Sequence, residues 1–263
     1  MHHQKNFSVY SFLISSLDPY NYPLLYDEQY WWKRNDIDFW RSMIDLSNAR
    51  RVLEIGSGTG RIALPILKSN VIEYTGIDNS FIFTSYVQKF AQYSNANFIC
   101  ADMINFNLNQ TFDLVFVPFN TFLHNTSKQK AHKCVQAVIN HMHKDTLFII
   151  DVLVPDPLFL YRSENVRSPI MEFHSSEKNM VVLIEETVNF NTTNNILYIT
   201  WHYSTALEKD FKIIKFSMKM FYNSELFDLL NSSGLQVTSI WGNYDREPFN
   251  EQSTQQIFCC KLN

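Results

Sequence analysis

Short apolar, β-branched runs alternate with helix-spaced stretches as far as Pro155. Arg51 to Ile55, Tyr74 to Ile77, Asn97 to Ala101, Phe112 to Phe119 and Leu147 to Leu153 read as buried strands, the last nearly all apolar as a central parallel strand is. Helix spacing follows the first strand at Ile62, Ala63, Ile66 and Leu67, with Pro65 in the opening turns. A second helix is predicted from Ser80 to Tyr93, capped by Asn79-Ser80, with Phe81, Tyr86, Val87 and Phe90 inward. Ser127 caps a third, predicted to run toward His143 with Ala131, Cys134, Val135, Val138 and Ile139 inward. Strands and helices in alternation predict an α/β fold.

The flanks differ from this core. Phe7 to Leu17 reads as a short leading helix, and Ile37, Trp40, Met43 and Ile44 as the apolar stripe of another. Between them Tyr22 to Trp32 has no clean period; this polar-aromatic segment is expected either to form a lid over a ligand or to pack on the sheet as an aromatic clamp. Beyond Pro155, Met180 to Asn189 and Ile196 to Ser204 are β-rich and joined by an Asn/Thr turn at 191–195. Phe211 to Phe221 reads as a further strand, so Ile170 to Phe221 is predicted as an antiparallel insertion. Ser224 then caps a helix carrying Leu226, Phe227, Leu229 and Leu230, stopped by Gly234. Leu235 to Trp241 and Gln256 to Lys261 are the last two strands, joined by a loop over Gly242–Phe249.

The chain of 263 residues, 46% hydrophobic and 18% charged, can bury a full core as one α/β domain with an insertion. A formal charge of −4 carries no basic excess and argues against a nucleic-acid partner. Cys100, Cys134, Cys259 and Cys260 have no metal-ligand spacing and read as reduced thiols of a cytoplasmic protein, with no metal expected. No apolar run approaches the roughly 18 residues of a membrane span. Ser8, Ser11, Ser15 and Ser16 interrupt the leading segment and no cleavage site follows, which disfavours a signal peptide.

The chemistry gathers at Val52-Leu53-Glu54-Ile55-Gly56-Ser57-Gly58-Thr59-Gly60-Arg61. A strand, a glycine turn and a helix start make a cradle for a nucleotide-like ligand. The spacing is Glu-x-Gly-x-Gly-x-Gly, neither the dinucleotide fingerprint nor a P-loop. Glu54 at the strand end would repel a pyrophosphate and attract a cation, and S-adenosylmethionine is the nucleoside ligand with an ammonium, a sulfonium and no phosphate. Asp78, about twenty residues on at the next strand end, suits ribose hydroxyls. Asp102-Met103, at a third strand end, suits the adenine amino group and ring.

This stretch resembles motif I of the class I S-adenosylmethionine-dependent methyltransferases. Further pieces resemble a broad bacterial group of small-molecule members: Tyr26-Asp27 with Asp36-Ile37 and Phe39, Pro118-Phe119-Asn120-Thr121-Phe122 with His124, Asp151 with Pro155-Asp156-Pro157, Phe221 with Glu225-Leu226, and Gly242 with Tyr244-Asp245 and Pro248-Phe249. The layout is also similar to that of the amino-sugar N,N-dimethyltransferases. The resemblance implies a Rossmann-like seven-stranded sheet with its last strand antiparallel and a small antiparallel β insertion. The expected organisation is a lid over 1–45, the methyltransferase domain over 46–169 and 222–263, and the insertion over 170–221 above the active site. It further implies cofactor contacts from Glu54, Gly56, Ser57, Gly58, Arg61, Asp78, Asn79, Asp102, Met103 and Phe119, with Tyr26 closing the site. Motif I of the group often has Cys at the Ser57 place, a swap that leaves the turn intact.

The expected reaction moves a methyl group from S-adenosylmethionine to an N or O atom of a small-molecule acceptor, leaving S-adenosylhomocysteine. An amine or hydroxyl acceptor must lose a proton, and His124 is the first choice of base because imidazole titrates near neutrality. Asp151, Trp201, Tyr244 and Asp245 are the other groups expected at the acceptor. A protein or nucleic-acid methyltransferase and a non-catalytic S-adenosylmethionine-binding module are the alternatives. A base methyltransferase would want an Asp/Asn/Ser-Pro-Pro-Tyr element and a basic groove, and Pro118-Phe119-Asn120 departs from the first. Three acids intact at three strand ends speak against the non-catalytic module. Neither a nucleic-acid nor a membrane partner is expected.

Overall fold

The computed structural model describes residues 22–68, 73–91, 95–164 and 166–263. The leading helix expected over Phe7 to Leu17 lies outside the described residues. In chain order the first elements are α1 (Pro23–Gln29), α2 (Ile37–Leu46), β1 (Arg51–Ile55), α3 (Ala63–Leu67), β2 (Glu73–Asp78), α4 (Phe81–Phe90), β3 (Ala96–Cys100) and β4 (Phe112–Val117). A 3-10 turn (Thr121–His124) leads to α5 (Lys128–Ile139), β5 (Met142–Leu153) and α6 (Pro157–Leu160). The second half runs β6 (Ser168–Ser175), β7 (Met180–Asn191), β8 (Ile196–Ser204), β9 (Lys212–Lys219), α7 (Asn223–Ser232), β10 (Leu235–Trp241) and β11 (Gln255–Leu262).

Seven strands form one sheet in the order β10-β11-β5-β4-β1-β2-β3, and β6 to β9 form a separate antiparallel meander. Within the large sheet β11 alone runs against its neighbours, antiparallel to both β5 and β10. The expected fold class holds. The pleat sends alternate residues to opposite faces, and both faces are buried. Val52, Leu114, Phe116 and Ile149 join one core with Trp40, Ile44 and Ile66. Their neighbours Leu53, Val115, Val117 and Ile150 join the other with Ala131, Val135, Leu226 and Leu230. Trp40, fully buried, stacks on Phe116 with centroids 4.5 Å apart, which anchors α2 to the middle of the sheet.

Several element details depart from the sequence reading. Tyr22 to Trp32 contains the helix α1, opened by Pro23 at a first-turn position, although its apolar residues follow no clean stripe. On α4 the buried stripe is Phe83, Thr84 and Val87, whereas Phe81 and Phe90, expected inward, are 71% and 52% exposed. The Phe83–Val87 spacing wins because Val87 joins the core beneath the sheet and Phe83 packs against Tyr26 at the cavity. α5 stops at Ile139 and His143 belongs to β5, which starts early because Met142 already pairs with Phe112. α7 has Tyr222 at its cap position, so Ser224 lies inside the helix and caps nothing. The four cysteines are free, with Cys100 exposed and the rest buried. No helix among the described residues is long and apolar enough to cross a membrane.

Strand order reverses between β1 and β4, the place where open α/β sheets bind ligands at their carboxyl ends. The meander roofs this edge: Val188, Leu197, Ile199 and Met218 pack into the core that holds Phe122 and Leu123 of the 3-10 turn. Its other residues Val182, Ile184, Tyr203 and Ile214 make a small core of their own, against which Leu25 of α1 packs.

Candidate active site

The glycine turn is built on β2. The N–H groups of Gly56 and Ser57 both donate to the carbonyl of Ile77, at 2.8 and 3.0 Å, so the chain leaving β1 folds back across the neighbouring strand. Gly56 has φ +76°, and a Cβ there would collide with the Thr121 side chain. At Gly58, φ +55°, the nearest atom to an added Cβ would be a Phe83 ring carbon 3.9 Å away; that space belongs to the cavity. The N–H of Gly58 donates to Asp78 Oδ2 at 2.9 Å and that of Ser80 to Oδ1 at 2.8 Å, which fixes the carboxylate at the end of β2. Asp102 follows β3 in the same way, its Oδ1 accepting from Ile104 N–H at 3.1 Å. Beside it Asn125 donates from Nδ2 to Met103 Sδ at 3.4 Å, while its buried Oδ1 has no hydrogen-bond partner among the described residues. A strand-end carboxylate pair, an orphaned acceptor and a glycine wall fit a nucleoside bearing hydroxyls and an amino group.

These groups line a cavity of about 460 Å³, within the size range of small-molecule pockets. α1 closes one side. Its Tyr26 ring, half-buried, lies 5.1 Å from Phe83 and 4.7 Å from Tyr30, with its hydroxyl held above the ordinary phenol range by desolvation. Polar contacts hold the helix from both flanks. Thr59 of the glycine turn and Tyr86 of α4 donate to the Asp27 carboxylate, while Tyr203 of β8 donates to Gln29 Oε1 at 2.8 Å.

The opposite side is the turn after β4. Phe119 and Asn120 both take left-handed backbone, φ +49° and +65°, a costly pair for non-glycine residues. Asp151 holds it: its Oδ2 accepts from Phe119 N–H at 3.1 Å and its carbonyl from Asn120 N–H at 3.0 Å. Asn120 Oδ1 returns a bond, accepting from Leu153 N–H at 2.7 Å. The turn delivers His124 to the cavity, its ring centroid 6.1 Å from that of Phe216. Burial holds the imidazole below its ordinary pKa, so the neutral, proton-accepting form prevails at neutral pH.

Of the residues singled out in the sequence, Tyr26, Gly56, Gly58, Asp78, Asn79, Asp102, Met103, Phe119, His124 and Trp201 line this one cavity. Five others stand behind its wall. Glu54 is buried in the sheet, accepting from Tyr74 OH at 2.6 Å, because strand alternation turns it away from the cavity. Burial pushes its carboxyl up to about 8, opposed by the Tyr74 hydrogen bond and the Arg61 charge. Ser57 is buried against Gly76. Arg61 makes two bonds to buried Asp36, at 2.7 and 2.8 Å, and spans the Phe119 ring at 5.1 Å. Asp151 and Tyr244 bond each other at 2.9 Å, in support of the turn. Asp245 lies on the exposed loop after β10. Gln29, Asn125, Glu186 and Phe216 also line the cavity without belonging to a motif recognised in the sequence.

Residues 52–145 match the family model described as a methyltransferase domain. This segment is a methyltransferase domain. The sequence matches no curated protein. Solved structures extend the likeness over nearly the whole chain. The CcbJ methyltransferase from Streptomyces caelestis aligns with TM-score 0.78 at 17% identity, over 93% of this chain and 98% of its own. An S-adenosylmethionine-dependent methyltransferase from Clostridium acetobutylicum gives 0.73 at 14%, over 97% and 100%. S-adenosylmethionine-bound CalS10, an amino pentose methyltransferase from Micromonospora echinaspora, gives 0.62 at 14%, over the full length of both. At these identities the likeness is one of fold.

Proposed function

We propose that this protein transfers a methyl group from S-adenosylmethionine to an N or O atom of a small-molecule acceptor. The observation that carries the reading is convergence: the glycine turn after β1, Asp78 at the end of β2 and Asp102 after β3 face one cavity inside a methyltransferase domain. When bound, S-adenosylmethionine supplies an electrophilic sulfonium methyl and leaves as S-adenosylhomocysteine. In this reading Asp78 holds the ribose hydroxyls, and Gly56, Gly58 and Asn79 form the wall beside it. Asp102, Met103 and Asn125 take the adenine, while Tyr26 and Phe119 close over the reactive end. Glu54, Ser57 and Arg61 serve as the frame of the turn rather than as contacts.

His124 is proposed as the base: its neutral imidazole receives the proton that the acceptor nitrogen or oxygen gives up. Tyr26 and the meander exclude water, so the protein contributes orientation and desolvation. Two structural neighbours support a small acceptor: KedS8 is a sugar N-methyltransferase and CalS10 an amino pentose methyltransferase. Residues 22–45, the sheet residues and 168–219 are proposed as lid, cofactor domain and acceptor-side roof.

The test is calorimetric titration of the purified protein with S-adenosylmethionine and with S-adenosylhomocysteine, followed by labelled-methyl transfer to amine- and hydroxyl-bearing metabolites. Binding of both cofactor forms with a Kd in the micromolar range is expected, and failure of both to bind would sink the reading.

A further inference from the structure

Strand β7 breaks its own pattern at Glu186. Val182, Ile184 and Val188 are buried on its inner face, and alternation places residue 186 on that same face. The position carries a carboxylate, 5% exposed, where the pattern calls for an apolar side chain. A charge put in a core position costs stability unless it is paired, and such breaks of local consistency concentrate at functional sites.

The pairing is specific. Arg162 Nη2 donates to Glu186 Oε1 at 2.5 Å, and Trp201 Nε1, directly across the β7–β8 pair, donates to Oε2 at 2.9 Å. Arg162 is itself stacked over Phe159 at 4.6 Å. Each carboxylate oxygen has then used one lone pair and keeps another. Glu186 lines the cavity together with Phe159, Trp201, Phe216 and His124, so those lone pairs are offered to the part lined by the meander and the 3-10 turn, elements other than those that carry Asp78 and Asp102. The Phe216 ring sits edge-on to Trp201 at 4.8 Å, giving flat apolar walls around one acid. Among the described residues that line the cavity, three carboxylates stand against one cationic side chain, the exposed Lys130.

We propose that Glu186 selects the acceptor, its carboxylate binding the N–H donors of an amine carried on a ring that stacks against Trp201 and Phe216. The inference rests on the methyltransferase reading and sharpens it from N or O to an amine. Arg162 and Trp201 orient the carboxylate from behind, and an anionic acceptor has no counter-charge at this end.

The experiment measures S-adenosylhomocysteine release at saturating S-adenosylmethionine with ring amines and their alcohols: cyclohexylamine against cyclohexanol, D-glucosamine against D-glucose. Wild-type protein should favour the amine in each pair by about tenfold or more in kcat/KM, because the amine brings two or three N–H donors and, when protonated, a counter-charge, whereas the alcohol brings one neutral O–H. Glu186→Gln should erase most of that ratio through KM, leave the Kd for S-adenosylmethionine within about twofold, and Glu186→Asp should restore part of the ratio. A structural role would slow amine and alcohol alike, so an unchanged ratio in Glu186→Gln overturns the proposal, as does a wild-type preference for the alcohols. Should Glu186→Gln fail to fold, titration of wild type and Trp201→Phe with cyclohexylamine compares their fluorescence changes. A response lost in Trp201→Phe supports the contact, and no response to the amine in wild type overturns it. Failure of wild type to bind either cofactor form strikes the methyltransferase reading instead, while the fluorescence titration still reports whether an amine sits beside Trp201, the partner of Glu186.

Discussion

The main-chain N–H of Gly58 and the carboxylate of Asp78 are joined at 2.9 Å, so the glycine turn and the end of β2 form one unit. Asp78 is held by a second N–H, from Ser80, which fixes both oxygens of its carboxylate at the edge of the cavity. Asp78→Ala therefore removes a proposed ribose acceptor and the brace of the turn together. Charge-assisted hydrogen bonds are worth about 1.5–3 kcal/mol each. Calorimetry should show the Kd for S-adenosylmethionine rising by roughly tenfold to a hundredfold, and wild-type affinity would remove Asp78 from the cofactor.

His124 separates chemistry from binding. It lines the cavity at the end of the 3-10 turn, beside Phe216. His124→Gln should keep cofactor affinity within about twofold and lower kcat by about a hundredfold, the scale of a lost general base. The sign of the pH dependence follows from burial, which lowers the imidazole pKa. The neutral base survives to pH values below the ordinary histidine range, and wild-type kcat falls only when pH drops through that lowered value. An acid limb unchanged in His124→Gln would show that another group controls it.

Asp27 tests the lid. It accepts from Thr59 and from Tyr86 OH, tying α1 to the glycine turn and to α4, while Gln29 ties the helix to β8. Asp27→Ala cuts the cofactor-side ties and leaves the other. Dissociation of S-adenosylhomocysteine, followed by stopped flow, should quicken by about tenfold, with a melting temperature lowered by only a few degrees. An unchanged off-rate would mean that the packing of Tyr26 and Leu25 and the ties of α1 to the meander hold it without Asp27.

The five parallel strands, the glycine turn and the carboxylates at three strand ends were readable because each rests on local pattern: apolar runs, glycine spacing, an acid at a strand terminus. What depends on tertiary geometry was not. Glu54 and Asp151 look alike in sequence to Asp78, acids in or at the end of apolar strands, yet the pleat sends Glu54 into the sheet and Asp151 onto the Phe119–Asn120 turn. α1 hides in an aromatic segment because its contacts go to two partners, the glycine turn and the meander, and leave no stripe. Glu186 did leave a signal, a charge at an inward position of Met180–Asn191, but its meaning needed Trp201 directly opposite.

Trp40 carries the packing of α2. Fully buried and stacked on Phe116, it leaves a large void when shortened. Trp40→Ala should cost about 3–5 kcal/mol in chemical denaturation. A loss under about 1 kcal/mol would mean that α2 contributes little to the core.

Glu54 gives the fold a pH dependence of unusual sign. Burial raises its carboxyl from 4.5 to about 8, against the smaller opposing effects of Tyr74 and Arg61. The folded state then holds a proton that the unfolded chain releases near its ordinary value. Between those two values the folded state binds more protons, so stability falls as pH rises. The contribution is fully present below about pH 4.5 and is lost as pH rises through about 8. Glu54→Gln keeps an acceptor for Tyr74 OH and cannot ionise. Urea unfolding from pH 6 to pH 9 should show wild type losing stability relative to Glu54→Gln, with the gap widest at the alkaline end. Parallel curves would show that Glu54 is already ionised in the folded protein and that Arg61 outweighs burial.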